Sequence, residues 1–76
     1  MNCYRVTYYS NNILPGSLGG KVETATIWVE ANNSSHAIAE ATMLACAGTG
    51  NEVAQKIGEW MRTGNVRNVY SVIETN

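Results

Sequence analysis

Aspartate is absent from this chain, histidine and proline occur once each, and only five basic and six acidic side chains stand among 76 residues. Each shortage closes off a class of protein. The single histidine, His36, falls in the first turn of an expected helix, where the dipole disfavours a cation. No Asp, Ser or Cys offers itself as its catalytic partner, so His36 reads as a solvated helix-start residue. The six glutamates are scattered singly, with no pair placed for acid–base work or metal binding. No enzyme is expected, and no cofactor or metal.

The charge balance excludes further classes. The formal net charge is −1, with no basic stripe of the kind a general nucleic-acid binder carries. A protein imitating DNA would need a dense acidic surface, and that is missing too. Two cysteines, Cys3 and Cys46, are too few and too far apart for a disulfide framework or a metal site. They read as buried free thiols, with Cys46 inert in an apolar helix. No apolar run reaches the ~18 residues that span a bilayer, and no basic-then-apolar leader opens the chain. The expectation is a complete cytoplasmic protein, with no membrane contact.

Neutral polar residues fill the gap left by charge: nine Asn, five Ser and seven Thr. With 45% apolar residues disorder is excluded, since disordered segments combine low hydrophobicity with high charge. A chain this short is one domain that buries roughly 60% of its unfolded surface, enough for one marginal core.

Period then assigns the elements. Residues 3–10 alternate, with Tyr4, Val6 and Tyr8 on one face and Cys3, Arg5, Thr7 and Tyr9 on the other, which predicts a strand. Ser10–Gly20 holds the only proline and three glycines and reads as a long turn. Its Gly16–Gly20 run resembles a phosphate loop in glycine content alone, because it leads into a strand and lacks the Lys-Ser/Thr that follows. From Lys21 to Ala31 alternation resumes, with Ala25, Ile27, Val29 and Ala31 opposite Val22, Thr24, Thr26, Trp28 and Glu30.

Asn32-Asn33-Ser34-Ser35 is a helix start. Ala37, Ile38, Ala41, Leu44 and Ala45 form the inner stripe of that helix, widened by Met43 and Cys46, and Gly48 ends it. Thr49 and Glu52 have the spacing of a capping box, so a second helix runs from about Gly50 to Thr63. Its apolar face is Val53, Ile57, Trp60 and Met61. Val66–Thr75 is the last strand. The reading is an α+β domain in the order strand-strand-helix-helix-strand, an antiparallel three-stranded sheet with two helices on one face. Ala25, Ile27, Val29, Ile38, Ala41, Leu44, Ile57 and Trp60 should share its core. The first helix is apolar on most sides and must be covered on most sides, which predicts a homodimer.

If helices cover the face of Ile27 and Val29, the other face displays Arg5, Thr7, Tyr9, Val22, Thr24, Thr26 and Trp28. Tyr70 and Val72 join it in one phasing of the last strand, which turns Val69, Ser71 and Ile73 inward. Trp, Tyr and Arg are the residues enriched at interface hot spots. Three readings of that face stand together: a protein-contact or dimer face, a sheet partly shielded by the 11–20 loop, and a stacking platform for single-stranded nucleic acid. Against the last, Arg5 alone supplies charge there. Ile13, Leu14 and Leu18 in the loop either fold back over the sheet or project as a hook for a partner.

The pattern TATIWVEANNSSHAIAEATMLA followed by VRNVYSVIE resembles the compact strand–helix–strand cores of very small phage-encoded proteins, among them inhibitors of host RNA polymerase and anti-CRISPR proteins. The resemblance covers about half the chain and rests on size, Asn/Thr-rich polarity and element order. It implies a non-catalytic protein that binds a host protein complex stoichiometrically, and it carries over no individual residue. Many such inhibitors are strongly acidic, whereas this chain is not, which argues against charge mimicry. The expectation is a small inhibitor encoded by a phage or mobile element, with partner-binding residues Arg5, Thr7, Tyr9, Trp28, Tyr70, Ile13, Leu14 and Leu18. Alternatives are a dimerising assembly module and a single-strand nucleic-acid binder.

Overall fold

Alternating aromatic, β-branched and threonine residues make three strands, and two asparagine-capped helices pack against one side of them. The computed structural model describes residues 1–13, 16, 20, 22–48 and 51–75. Its elements are β1 (Asn2–Ile13), β2 (Val22–Ala31), α1 (Ser34–Ala47), α2 (Glu52–Arg62) and β3 (Val66–Glu74). The strands form one antiparallel sheet in the order β2-β1-β3. The expected α+β architecture is the observed one.

The central strand is longer than its sequence pattern suggests. β1 continues to Ile13, so residues 11–13, expected in the turn, belong to the sheet, and Ser10, expected at the boundary of strand and turn, lies within it. Ser10 is fully buried and pairs with Val66. Beyond it, the Asn11 amide donates to the Asn65 carbonyl, and the Asn11 side chain donates to the Gly64 carbonyl at 3.2 Å. The end of β1 is thereby fastened to the turn between α2 and β3.

Each helix begins at an asparagine. The Asn33 carboxamide oxygen accepts from the His36 amide at 3.0 Å. The Asn51 oxygen accepts from the Val53 and Ala54 amides at 2.7 and 3.4 Å. Asn51, not Thr49, is therefore the cap of α2, and the expected capping box does not start it; Thr49 lies outside the described residues. An asparagine at the cap satisfies the same orphan amides from closer to the helix. Gly48, at φ 64°, closes α1 with its amide on the Leu44 carbonyl at 3.2 Å; a left-handed residue there is cheapest as glycine.

The core lies between the helices and one face of the sheet. The sheet contributes Tyr4, Val6, Tyr8, Ile27, Val29 and Ala31; α1 contributes Ala37, Ala41 and Ala45; α2 contributes Ala54, Ile57 and Trp60. Val66, Val69 and Val72 of β3 pack against this set. Glu23 and Lys56 form an ion pair between β2 and α2, and the Lys56 ammonium lies 5.7 Å from the Trp60 ring centroid. Gly58 is buried where α2 crosses α1, and an added Cβ would run into the Ala45 carbonyl.

Several core expectations fail in informative ways. Leu44 is 42% exposed, and Met43, at 65%, is exposed as well. The inner stripe of α1 is Ala37, Ala41 and Ala45, with Ile38 half-buried at its border. Alanines let the α1 backbone lie close to the sheet and to Gly58, and Leu44 has no place in so narrow a gap. Cys46 faces solvent and Cys3 is half-buried, so neither is the buried thiol expected. α1 thus leaves an outer side uncovered, including Ala39, Glu40, Met43, Leu44, Cys46 and Ala47.

Candidate interaction surface

Among the described residues, no helix packs on the second face of the sheet. Strict alternation along β1 and β2 places Arg5, Thr7 and Tyr9 on it beside Trp28, Thr26 and Thr24, their cross-strand partners. This is the set predicted from period two. Arg5 is exposed, Trp28 is 60% exposed, and Thr7 and Tyr9 are half-buried. The Arg5 guanidinium stands over the Trp28 ring, 5.7 Å from its centroid, a separation at which the cation is drawn to the ring face. The Thr7 and Thr26 hydroxyls are 2.8 Å apart, a hydrogen bond that ties the two strands on this side.

The third strand departs from the expected phase. Thr7 pairs with Ser71 but Tyr8 with Val69, and Tyr9 pairs with Asn68 but Ser10 with Val66. Tyr70 and Arg67 are the extra residues of these two irregularities. Each inserted residue reverses the facing of what precedes it. Val66, Val69 and Val72 therefore all lie on the covered side, while Ser71 and Ile73 lie on the open one. The expected inward Ser71 and Ile73 and outward Val72 are reversed. Ile73, 44% exposed, is cross-strand from Arg5, so Arg5 lies between Trp28 and an exposed isoleucine. Sequence reasoning missed Ile73, although a signal existed: valines three apart at 66, 69 and 72 do not fit a regular strand.

The remaining predicted contact residues are less fully placed. Tyr70 stands at the first irregularity and Ile13 ends β1, and their side chains are outside the described set. Leu14 and Leu18 lie outside the described residues altogether.

Titratable groups gather little on this face. Arg5 and the exposed carboxylate of Glu30, on the neighbouring pair with Cys3, are its described charges. The two perturbed phenols belong to the covered side. Burial pushes the Tyr8 phenol up; its hydroxyl is 3.0 Å from that of Thr42, whose hydrogen bond partly offsets the shift. Burial raises Tyr4 also, and the Glu74 carboxylate, which accepts its hydroxyl at 3.1 Å, raises it further. Both phenols stay neutral, and their hydrogen bonds hold their elements in place. His36 is exposed at the start of α1. Among the described residues, no three His, Cys, Asp or Glu side chains converge as metal ligands, and no helix is long and apolar enough to cross a membrane.

Among the described residues, the open face offers a mainly neutral surface: the Trp28 indole, the Arg5 guanidinium, threonine hydroxyls and the Ile73 side chain. That combination can bury apolar area and fix orientation by hydrogen bonds, the requirements of a contact between proteins. The chain matches no protein-family model, no curated protein and no solved structure.

Proposed function

We propose that this chain is a small non-enzymatic binding protein, an inhibitor of the phage-encoded kind its sequence pattern resembles. It acts in the host cytoplasm by stoichiometric contact with a host protein complex such as a CRISPR effector or a polymerase. One observation carries the binding reading. Trp28 is 60% exposed on the sheet face opposite the helices, with Arg5 over its ring and Ile73 beyond. Trp and Arg in such a cluster are the usual anchors of a protein interface, surrounded by neutral contacts that exclude water. The exposed outer side of α1, with Met43 and Leu44, favours a second reading, a dimerising assembly module. Single-strand nucleic-acid binding is the third reading, and a steep loss of affinity with salt is its signature.

The test is quantitative binding to a purified CRISPR effector or host RNA polymerase, after capture from extract has shown which is retained. Inhibition should saturate at a fixed molar ratio. Trp28→Ala should weaken binding about thirtyfold or more, the equivalent of ~2 kcal/mol for a hot spot, without loss of the circular dichroism of the fold. Changing His36 to Gln and both cysteines to Ser should leave it nearly intact. Turnover of any substrate that vanishes with His36→Gln overturns the binding-protein reading.

A further inference from the structure

The two edges of the sheet are built differently. An edge strand presents a row of unpaired amides and carbonyls, and proteins usually blunt it with bulges, proline or lysine. β3 is blunted by its two irregularities within nine residues. β2 has neither bulge, proline nor lysine, and its two charges stand near its ends, Glu23 in the ion pair with Lys56 and Glu30 on the open side. It runs ten residues, and its register with β1 is unbroken from Ala31 to Thr24. Among the described residues, no other segment forms backbone hydrogen bonds along its outer side.

We propose that the outer edge of β2 pairs antiparallel with β2 of a second copy of this chain, about a two-fold axis at Ile27. The reasoning is independent of the partner-binding reading above. A strand joined to itself must keep covered faces beside covered faces, so the axis has to pass through a residue rather than between two. Centred on Ile27, the pairing sets Trp28 against the partner's Thr26 and Val29 against the partner's Ala25. Glu30 falls opposite the partner's Thr24, and Glu23 opposite the partner's Ala31. No like charges meet. Of the neighbouring centres, Thr26 sets Glu23 against Val29 and Glu30 against Val22, a carboxylate facing a valine at both places, while Trp28 pairs only residues 25–31 and leaves Glu23 and Thr24 without a partner in the strand. An aromatic beside a β-branched residue is a favourable cross-strand pair, and a net charge of −1 per chain adds little repulsion between copies. The strand is thus complementary to itself, which is why the occupant is a second copy rather than a foreign strand. The product is a closed dimer with a continuous six-stranded sheet, and its open face carries two Trp28–Arg5 pairs.

Thr24 tests this register, because it is exposed and stands opposite Glu30 of the other copy only in the proposed pairing. Sedimentation velocity over a dilution series should show exchange between the 8.2 kDa chain and a species of twice that mass. Thr24→Glu places two carboxylates together at each of two symmetric contacts and should weaken the dimer roughly two- to thirtyfold. Thr24→Lys should tighten it, and Met43→Glu on α1 should leave it unchanged, with circular dichroism confirming the fold of each. Hydrogen exchange of β2 amides should slow as concentration rises, while β3 amides keep their rates. Only the 8.2 kDa species at every concentration overturns the proposal. So does a dimer that Met43→Glu dissociates while both Thr24 variants leave it alone, or assembly that grows beyond two chains.

Discussion

α1 and α2 lie side by side against the same sheet, yet they meet it with opposite kinds of side chain. α2 is sharply amphipathic: Ile57 and Trp60 are buried, and Glu52, Gln55, Lys56, Glu59 and Arg62 are exposed. α1 is apolar on nearly every side, and what it buries is its smallest residues, Ala37, Ala41 and Ala45, leaving Met43 and Leu44 outside. The difference separates two ways of docking a helix. α2 is held by bulk, since large apolar groups leave water at about 25 cal/mol per Å². α1 is held by closeness: with only methyl groups between backbones, many weak dispersion contacts form at short range. Gly58 belongs to both schemes, because it is a point on α2 where the α1 backbone leaves no room for a side chain.

The largest expected effect lies on the side of bulk. Ile57 is fully buried between α2 and the sheet, so Ile57→Ala should cost about 2–5 kcal/mol through lost transfer energy and the cavity left behind. A domain of this size has roughly 4–11 kcal/mol to lose, so the urea midpoint should fall steeply. A loss below ~1 kcal/mol would remove the distinction drawn for α2. The next effect tests closeness. In an ordinary helix Gly→Ala stabilises by ~1 kcal/mol, but at Gly58 the new methyl meets the Ala45 carbonyl. Gly58→Ala should therefore destabilise by about 1–3 kcal/mol, as overpacking does. Unfolding measured beside an exposed control, Gln55→Ala, gives the sign directly, and stabilisation would show that the helices are free to part.

The same contrast explains what the sequence made legible. Element order, the covered faces of β1 and β2 and the buried side of α2 followed from periodicity, because polar and apolar residues alternate there with a clear phase. α1 has too little polarity to show a phase, so helical spacing alone puts Leu44 in the inner stripe beside the alanines, and the narrow crossing leaves it outside. β3 failed for another reason. Two inserted residues turned a period of two into valines at intervals of three, and a strand template applied to 66–75 cannot register that. Of the candidate surface, Arg5, Thr7, Tyr9 and Trp28 were readable, since they depend on two regular strands. Ile73 was not, since its placement depends on the irregular one. The unequal protection of the two sheet edges could be seen only once β1 was known to lie between the other two.

The smallest expected effect is the most pointed. Leu44 is 42% exposed, so Leu44→Ala removes only part of a side chain from contact, and alanine's higher helix propensity returns a few tenths of a kcal/mol. The net cost in a single chain should be under ~1 kcal/mol, against the 2–5 kcal/mol typical of a core leucine. Denaturant titrations at two protein concentrations decide what that number means. A small loss at both concentrations fits a residue on an uncovered helix side, as it is in the single chain. A loss of several kcal/mol at high concentration alone would mean that a second copy covers α1. The closeness scheme would then describe only its inner side, and the dimer contact would belong to the helix rather than to the edge of β2.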